Sequence, residues 1–238
     1  MTLAVLISAY NDHLVTVRHV KECMASSRVP DEIIVVNDTG TPELKGMLEE
    51  LEKNTKIIYA YILPPKIPWN YTGARNLAFW LSRGDYISLE DNDHIPHIDY
   101  YKDAIETLEK DPKIGRIKQH KRRVVSREDI LNKPISEWKQ LASRPGHEDC
   151  SISRREVWFK LKGYDERFAG AYGWSATDWK RRLFRAGFTN GNAGYMYVKE
   201  GPKTPGLSYR NYQYAREDQA IQRTHGILNF QYEYTTLN

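Results

Sequence analysis

Residues 3–90 alternate short apolar runs with stretches of helical spacing, and this alternation limits the fold more than any other feature. "LAVLISA" (3–9) is an apolar run without a polar face, as a strand buried on both sides requires. Residues 13–27 then carry Leu14, Val17, Val20 and Met24 at helical spacing. "DEIIVVND" (31–38) and "KIIYAYIL" (56–63) predict two further strands, with the helix "ELKGMLEELEK" (43–53) between them. A proline-rich loop at 64–73 leads into a helix over 74–84, and "DYISLE" (85–90) is the fourth strand. Strands separated by helices need crossover connections, hence a mostly parallel α/β sheet. In such sheets ligands lie beyond the carboxyl ends of the strands. The sequence places Tyr10, Asn11 and Asp12 there after the first strand, Asp38 after the second, and Glu90 to His94 after the fourth.

The second half is less regular. Residues 97–111 predict a helix, 113–121 a strand, 150–168 a strand and a helix ending at Gly163, and 175–187 a helix stopping at Gly187. Residues 128–149 read as a loop with short helical pieces, and the tyrosine-rich tail 209–238 as a helix plus an extended wrap. A chain of 238 residues buries enough surface to fold without a disulfide or a structural metal. Cys23 and Cys150 have no metal-type spacing and read as buried free thiols. A net charge of +4 is too mild to argue for nucleic acid, so no such partner is expected; a phosphate-bearing small molecule stays compatible. The opening residues carry no basic leader, and their apolar run falls short of the ~20 residues of a membrane span. The expectation is a cytoplasmic protein, peripheral at a membrane at most, with no transmembrane segment.

Asp91-Asn92-Asp93 sets two carboxylates one residue apart at a strand end. Carboxylate and water ligands suit Mg²⁺ or Mn²⁺. Such an ion would bridge a diphosphate and offset charge on the leaving phosphate. The same string also serves as an acidic turn, with Asp93 capping the helix at 97. Proximity to Asp38 and Tyr10 favours the ligand reading. Among the aromatics Trp69, Tyr71, Trp174 and Trp179, the loop residues Trp69 and Trp174 are the candidates for stacking on a sugar, while Trp80, inside a helical stripe, reads as core. The basic run "KQHKRR" (118–123) suits a donor phosphate or an anionic acceptor, and equally a solvated strand end.

Four stretches, "VLISAYN", "EIIVVNDTG", "TGARNLAFWLSRGDYISLEDND" and "SRREVWFKLKGYDERF", occur in an order and at spacings that resemble an inverting, family 2 glycosyltransferase of the GT-A fold, over roughly residues 3–187. The resemblance implies a GT-A domain over 1–200, divided into a nucleotide-binding half (1–96) and an acceptor half (97–200), with a C-terminal extension (201–238) packed on it. It implies metal-dependent transfer from a nucleotide-diphosphate sugar, a UDP-sugar above others, to a hydroxyl of a glycan, lipid-linked or protein acceptor. Ser8, Tyr10 and Asp38 would contact the nucleotide, with Asp38 accepting from an N–H of a uracil-type ring. Arg75 would lie near the sugar or diphosphate, Asp91 at the ribose or the ion, and Asp93 would be the principal ligand of Mn²⁺ or Mg²⁺. A late histidine often completes such a site: His225 is the first choice here, and His147 and His94 qualify by type.

Inversion also needs a carboxylate to take the acceptor proton. The family draws it from an acidic pair opening a helix, where this chain reads "YGWSATDWKRRLFRAG". Aligned on the downstream arginines, Ser175 and Ala176 replace that pair; aligned on Trp174, Asp178 takes the place of the base. Asp178 is therefore the candidate, against a plain i, i+4 ion pair with Arg182, and Asp149 and Glu148 come next. Two other readings stay open. A nucleotidyltransferase of related fold is disfavoured by "SAYNDH", which stands where a glycine-rich basic loop is expected, and a catalytically inert nucleotide or sugar binder is suggested by Ser175-Ala176.

Overall fold

The computed structural model describes residues 1–38, 41–52, 54–63, 69–170, 173–201 and 230–237. The first half runs β1 (Leu3–Ala9), α1 (His13–Met24), β2 (Glu32–Asn37), α2 (Glu43–Glu49), β3 (Lys56–Ile62), α3 (Tyr71–Leu81) and β4 (Tyr86–Asp91). It continues with β5 (His94–Pro96), α4 (Tyr100–Lys110), β6 (Ile114–Val125), α5 (Arg127–Asn132), β7 (Gln140–Pro145), β8 (Ser151–Arg154) and α6 (Arg155–Leu161). The chain then forms α7 (Ser175–Arg185), β9 (Thr189–Lys199) and β10 (Tyr232–Leu237). Among the described residues the strands make one sheet, ordered β10-β3-β2-β1-β4-β8-β6-β9-β5, with β7 paired to β6.

The alternation read from the sequence produces the core of this sheet. Strands β3, β2, β1 and β4 are parallel neighbours. Every residue of β2 is buried, and in β1 only Ser8 is half-exposed. Side chains alternate between the faces. Leu3, Val5 and Ile7 join Val20 and Cys23 of α1 on one side, and Ala4 and Leu6 join Leu77 and Ala78 of α3 and Trp158 of α6 on the other. Each such large apolar side chain contributes about 1.5–3 kcal/mol. The chain steps outward from β1 to β2 and β3, then returns to β4 on the opposite side of β1. That reversal opens a crevice at the carboxyl ends of β1 and β4, where open α/β sheets bind ligands. There Ser8 lies opposite Asp91, and Asp38 N donates to Ala9 O at 2.8 Å.

The second half departs from the sequence reading in particular places. Residues 140–145 form β7 against β6 where a loop is expected. All six β7 residues are exposed, so the strand carries no apolar alternation to read. Short β5 and long β9, which pair with each other, were likewise not legible. Trp80 is 53% exposed, not core: α3 turns Ala74, Leu77 and Ala78 inward, and position 80 falls on the opposite face. The extended part of the tail is an antiparallel strand on β3, which closes that sheet edge, while its expected helix lies outside the described residues. Cys23 and Cys150 are buried and free. No helix among the described residues is long and apolar enough to cross a membrane.

Candidate active site

The site is built around Asp91, the last residue of β4. Arg75 of α3 donates from Nη2 to Asp91 Oδ1 at 2.5 Å and from Nη1 to Asp149 Oδ1 at 2.7 Å. It is 2% exposed, with its guanidinium carbon 5.2 Å from the ring centres of both Tyr71 and Tyr164. The cap of α3 sets its position: Asn70 Oδ1 accepts from Gly73 N, and a Cβ on Gly73 would meet that oxygen at 2.5 Å. Burial opposes ionisation of Asp91, yet Arg75, with His147 and His94 beside it, outweighs burial and holds the carboxyl well below its usual range.

Asp93 keeps 37% of its side chain exposed, and its Oδ1 lies 2.7 Å from His94 Nδ1. Burial disfavours charge on both groups, but each favours charge on the other, so Asp93 is lowered and His94 raised. Arg122 Nη1 of β6 lies 3.1 Å from His94 Nε2, which carries one end of the basic run 118–123 into the site. Ligand atoms of Asp91, Asp93 and His94 fall within 4.8 Å of one another. Two ionised carboxylates and an imidazole form a mainly hard donor set that fits Mn²⁺ or Mg²⁺. His225 lies outside the described residues; His94 and His147 are the candidate histidines that the fold brings in.

The loop before β8 carries His147, Glu148 and Asp149. Gly146 crosses β6 so closely that any Cβ would strike the Gln119 carbonyl, and His147 N donates to Gln119 Oε1 at 3.0 Å. His147 Nδ1 then stands 3.6 Å from Asp91 Oδ2. Glu148 meets Arg116, Lys118 and Lys180. Burial raises its pKa, but these cations, Lys118 foremost, bring it down to about 2, which makes it a poor proton acceptor near neutrality. Asp149 is shared between Arg75 and the Tyr164 hydroxyl.

Asp178 sits in the first turn of α7, 8% exposed, and its Oδ2 accepts from Arg182 Nε at 2.9 Å. Arg182 also donates to the Leu161 and Gly163 carbonyls, so the expected i, i+4 pair is present but lies in the α6–α7 contact, not on an exposed face. Ser175 is buried, and its Oγ accepts from Tyr71 OH at 2.8 Å, tying the start of α7 to the aromatic shell of Arg75. The Trp69 ring lies 4.4 Å from Tyr10. Trp69 and Trp174 both adopt left-handed backbone, with φ of 58° and 69°. That conformation costs a non-glycine residue about 1–2 kcal/mol, so local packing must hold it.

Sequence reasoning missed the support beneath the acidic turn. His19 Nε2 lies 2.5 Å from Glu90 Oε2, Ser88 Oγ donates to Glu90 Oε1, and His19 Nδ1 lies 3.3 Å from the Asn92 carbonyl. All three side-chain residues are completely buried. The available signal was His19 on the apolar stripe of α1, beside Val15, Val20 and Cys23, since a buried imidazole needs a polar partner.

The order of this sheet, with its reversal beside β1, is that of the GT-A fold. The chain belongs to glycosyl transferase family 2, whose model matches residues 4–161. No sequence among the curated proteins matches. Among solved structures it is similar to the mannosyltransferase PcManGT from Pyrobaculum calidifontis in complex with GDP-Man and Mn²⁺, at 18% identity and a TM-score of 0.60, over 90% of this chain and 60% of that one. It is also similar to GalNAc-T7 with UDP, GalNAc and Mn²⁺, at 14% identity and a TM-score of 0.67, over 91% of this chain and 48% of that one. The chain thus spans 60% and 48% of the lengths of these two relatives.

Proposed function

We propose that the chain moves a sugar from a nucleoside diphosphate sugar, a UDP-sugar first among them, to an acceptor hydroxyl on a glycan, lipid-linked or protein acceptor, with inversion. The observation that carries this reading is the convergence of Asp91, Asp93 and His94 at the sheet reversal, where Ser8, Tyr10 and Asp38 also end their strands. Two relatives of the same fold were solved with nucleotides and Mn²⁺, which supports a nucleotide-sugar donor here. A Mn²⁺ or Mg²⁺ ion bound at this donor set would offset the negative charge that develops on the departing diphosphate. Arg75 anchors Asp91, Asp93 is the more exposed ligand, and His94 adds a nitrogen. Asp38 accepts from a ring N–H of the base, Tyr10 contacts the nucleotide, and Trp69, whose ring lies against Tyr10, packs with Trp174 on the sugar.

Asp178 takes the acceptor proton, exchanging its contact with Arg182 for the incoming hydroxyl. One observation favours a second reading: Ser175 and Ala176 open α7, and Asp178 is engaged by Arg182, as suits an inert nucleotide or sugar binder. Incubation with a donor panel separates the possibilities. Release of nucleoside diphosphate supports transfer, release of pyrophosphate a nucleotidyltransferase, and binding without turnover the inert module. Asp93→Ala is expected to abolish Mn²⁺-dependent donor binding in calorimetry without unfolding the protein. Unchanged donor affinity in that variant overturns the metal assignment.

A further inference from the structure

A second donor set of different chemistry overlaps the oxygen-rich one. His147 Nδ1, Cys150 Sγ and His94 Nδ1 stand 3.6, 3.7 and 4.0 Å from a single atom, Asp91 Oδ2. Ligand atoms of His94, His147 and Cys150 also fall within 4.8 Å of one another. Zinc bonds of roughly 2.0–2.3 Å at tetrahedral angles put neighbouring ligand atoms about 3.3–3.7 Å apart. The three distances from Asp91 are therefore at shell spacing or close to it, and ligation exchanges the present contacts of His94 Nδ1 with Asp93 and of His147 Nδ1 with the Asp149 amide for the metal. Two nitrogens and a sulfur select a softer cation than Mn²⁺ or Mg²⁺.

The surroundings fit a cation arriving from one side. Cys150 and His94 are buried, whereas 27% of the His147 side chain is exposed. Cys150 has the Asp91 carboxylate as its hydrogen-bond acceptor, so a metal replaces a weak thiol contact with a thiolate bond. His94 Nδ1 lies 2.7 Å from Asp93 Oδ1 and Nε2 lies 3.1 Å from Arg122 Nη1, so ligation through Nδ1 puts the ring proton on Nε2 and displaces the Arg122 contact. A cation that takes His94 Nδ1 and Asp91 Oδ2 removes both from the oxygen-rich set.

We propose that Asp91, His94, His147 and Cys150 form a site for a thiophilic divalent cation of the Zn²⁺ class, whose occupation excludes the cation at Asp91, Asp93 and His94. Binding forms the sulfur–metal bond and releases the Cys150 thiol proton to solvent, and His94 ligates through Nδ1 as the neutral ring with its proton on Nε2. The site stands on its own geometry and does not depend on sugar transfer.

The test needs no turnover. The metal-free full chain is titrated with Co²⁺, and a thiolate-to-cobalt absorption band in the near ultraviolet is expected to saturate at one equivalent and to vanish on adding Zn²⁺. Cys150→Ser, which keeps a hydrogen-bond donor beside Asp91, is expected to lose the band. It is also expected to weaken Zn²⁺ binding by at least the about 100-fold that loss of an outer partner can cost. His147→Gln, at a partly exposed position, gives the same Zn²⁺ loss should the cysteine variant fold poorly. Electron paramagnetic resonance is expected to show equal Mn²⁺ binding by wild type and Cys150→Ser, and release of bound Mn²⁺ by one equivalent of Zn²⁺ in wild type. No thiolate band at saturating Co²⁺ overturns the site. Parallel loss of Mn²⁺ and Co²⁺ binding in Cys150→Ser overturns its separateness, and Mn²⁺ that stays bound beside Zn²⁺ overturns the exclusion.

Discussion

Arg75→Met removes the guanidinium that Asp91 and Asp149 share while keeping much of the apolar stem between Tyr71 and Tyr164. Breaking a buried ion pair by deleting one partner costs about 3–5 kcal/mol, because the other charge stays behind uncompensated. Asp91 and Asp149 keep 26% and 19% of their side chains in contact with water. The expected loss is therefore at the lower end, about 3 kcal/mol in metal-free buffer. Arg75→Lys keeps the charge but cannot reach both carboxylates with a planar fork, so an intermediate loss is expected. Urea unfolding, followed by circular dichroism, measures both. Mn²⁺ at saturation is expected to narrow the gap between Arg75→Met and wild type, since Asp91 then gains a replacement cation. At 100 times its dissociation constant such a ligand adds about 2.7 kcal/mol to stability. A loss below about 1 kcal/mol in Arg75→Met would show that water already solvates the two carboxylates, and the account of Arg75 as anchor would fail.

Asp178→Asn is expected to lower kcat by about 100-fold or more as loss of a general base, and to lower the melting temperature as well because Arg182 then faces a neutral partner. If Arg182→Gln reproduces the same kinetic and thermal losses, the pair serves helix packing and Asp178 is not the base. Asp12 and Glu148 both sit near 2, against ordinary values of 3.8 and 4.5, because burial is outweighed by Arg127 and Lys199 for the first and by Lys118 and Arg116 for the second. Their folded pKa values lie below the unfolded ones, so their stabilisation is present above about pH 4.5 and is lost as pH falls through about 2. Thermal melts from pH 5 to 2 measure the slope, and Glu148→Gln is expected to flatten it. Glu90→Leu leaves His19 without its carboxylate and is expected to cost about 1–3 kcal/mol, with weaker Mn²⁺ binding as the turn at Asn92 loosens. Glu90→Gln, which keeps a hydrogen-bonding amide, is expected to lose much less in the same calorimetric titration.

The parallel half of the fold and the acidic turn were readable in the sequence for one physical reason. Strands covered on both faces appear as unbroken apolar runs, and a polar string following such a run must lie at a strand end. Local periodicity records which face is buried; it does not record which charges meet. Asp91 finds Arg75 sixteen positions away, and Arg75 finds Asp149 seventy-four positions away, through helix packing and sheet register. Exposed β7, with no apolar face, left no pattern to read. At the start of α7 two alignments were open, and the tertiary structure placed Ser175 on Tyr71 and Asp178 on Arg182. The sequence by itself determined that carboxylates would gather at the sheet's edge. Tertiary packing decided which cations hold them, because those partners come from distant segments that meet only when the chain folds.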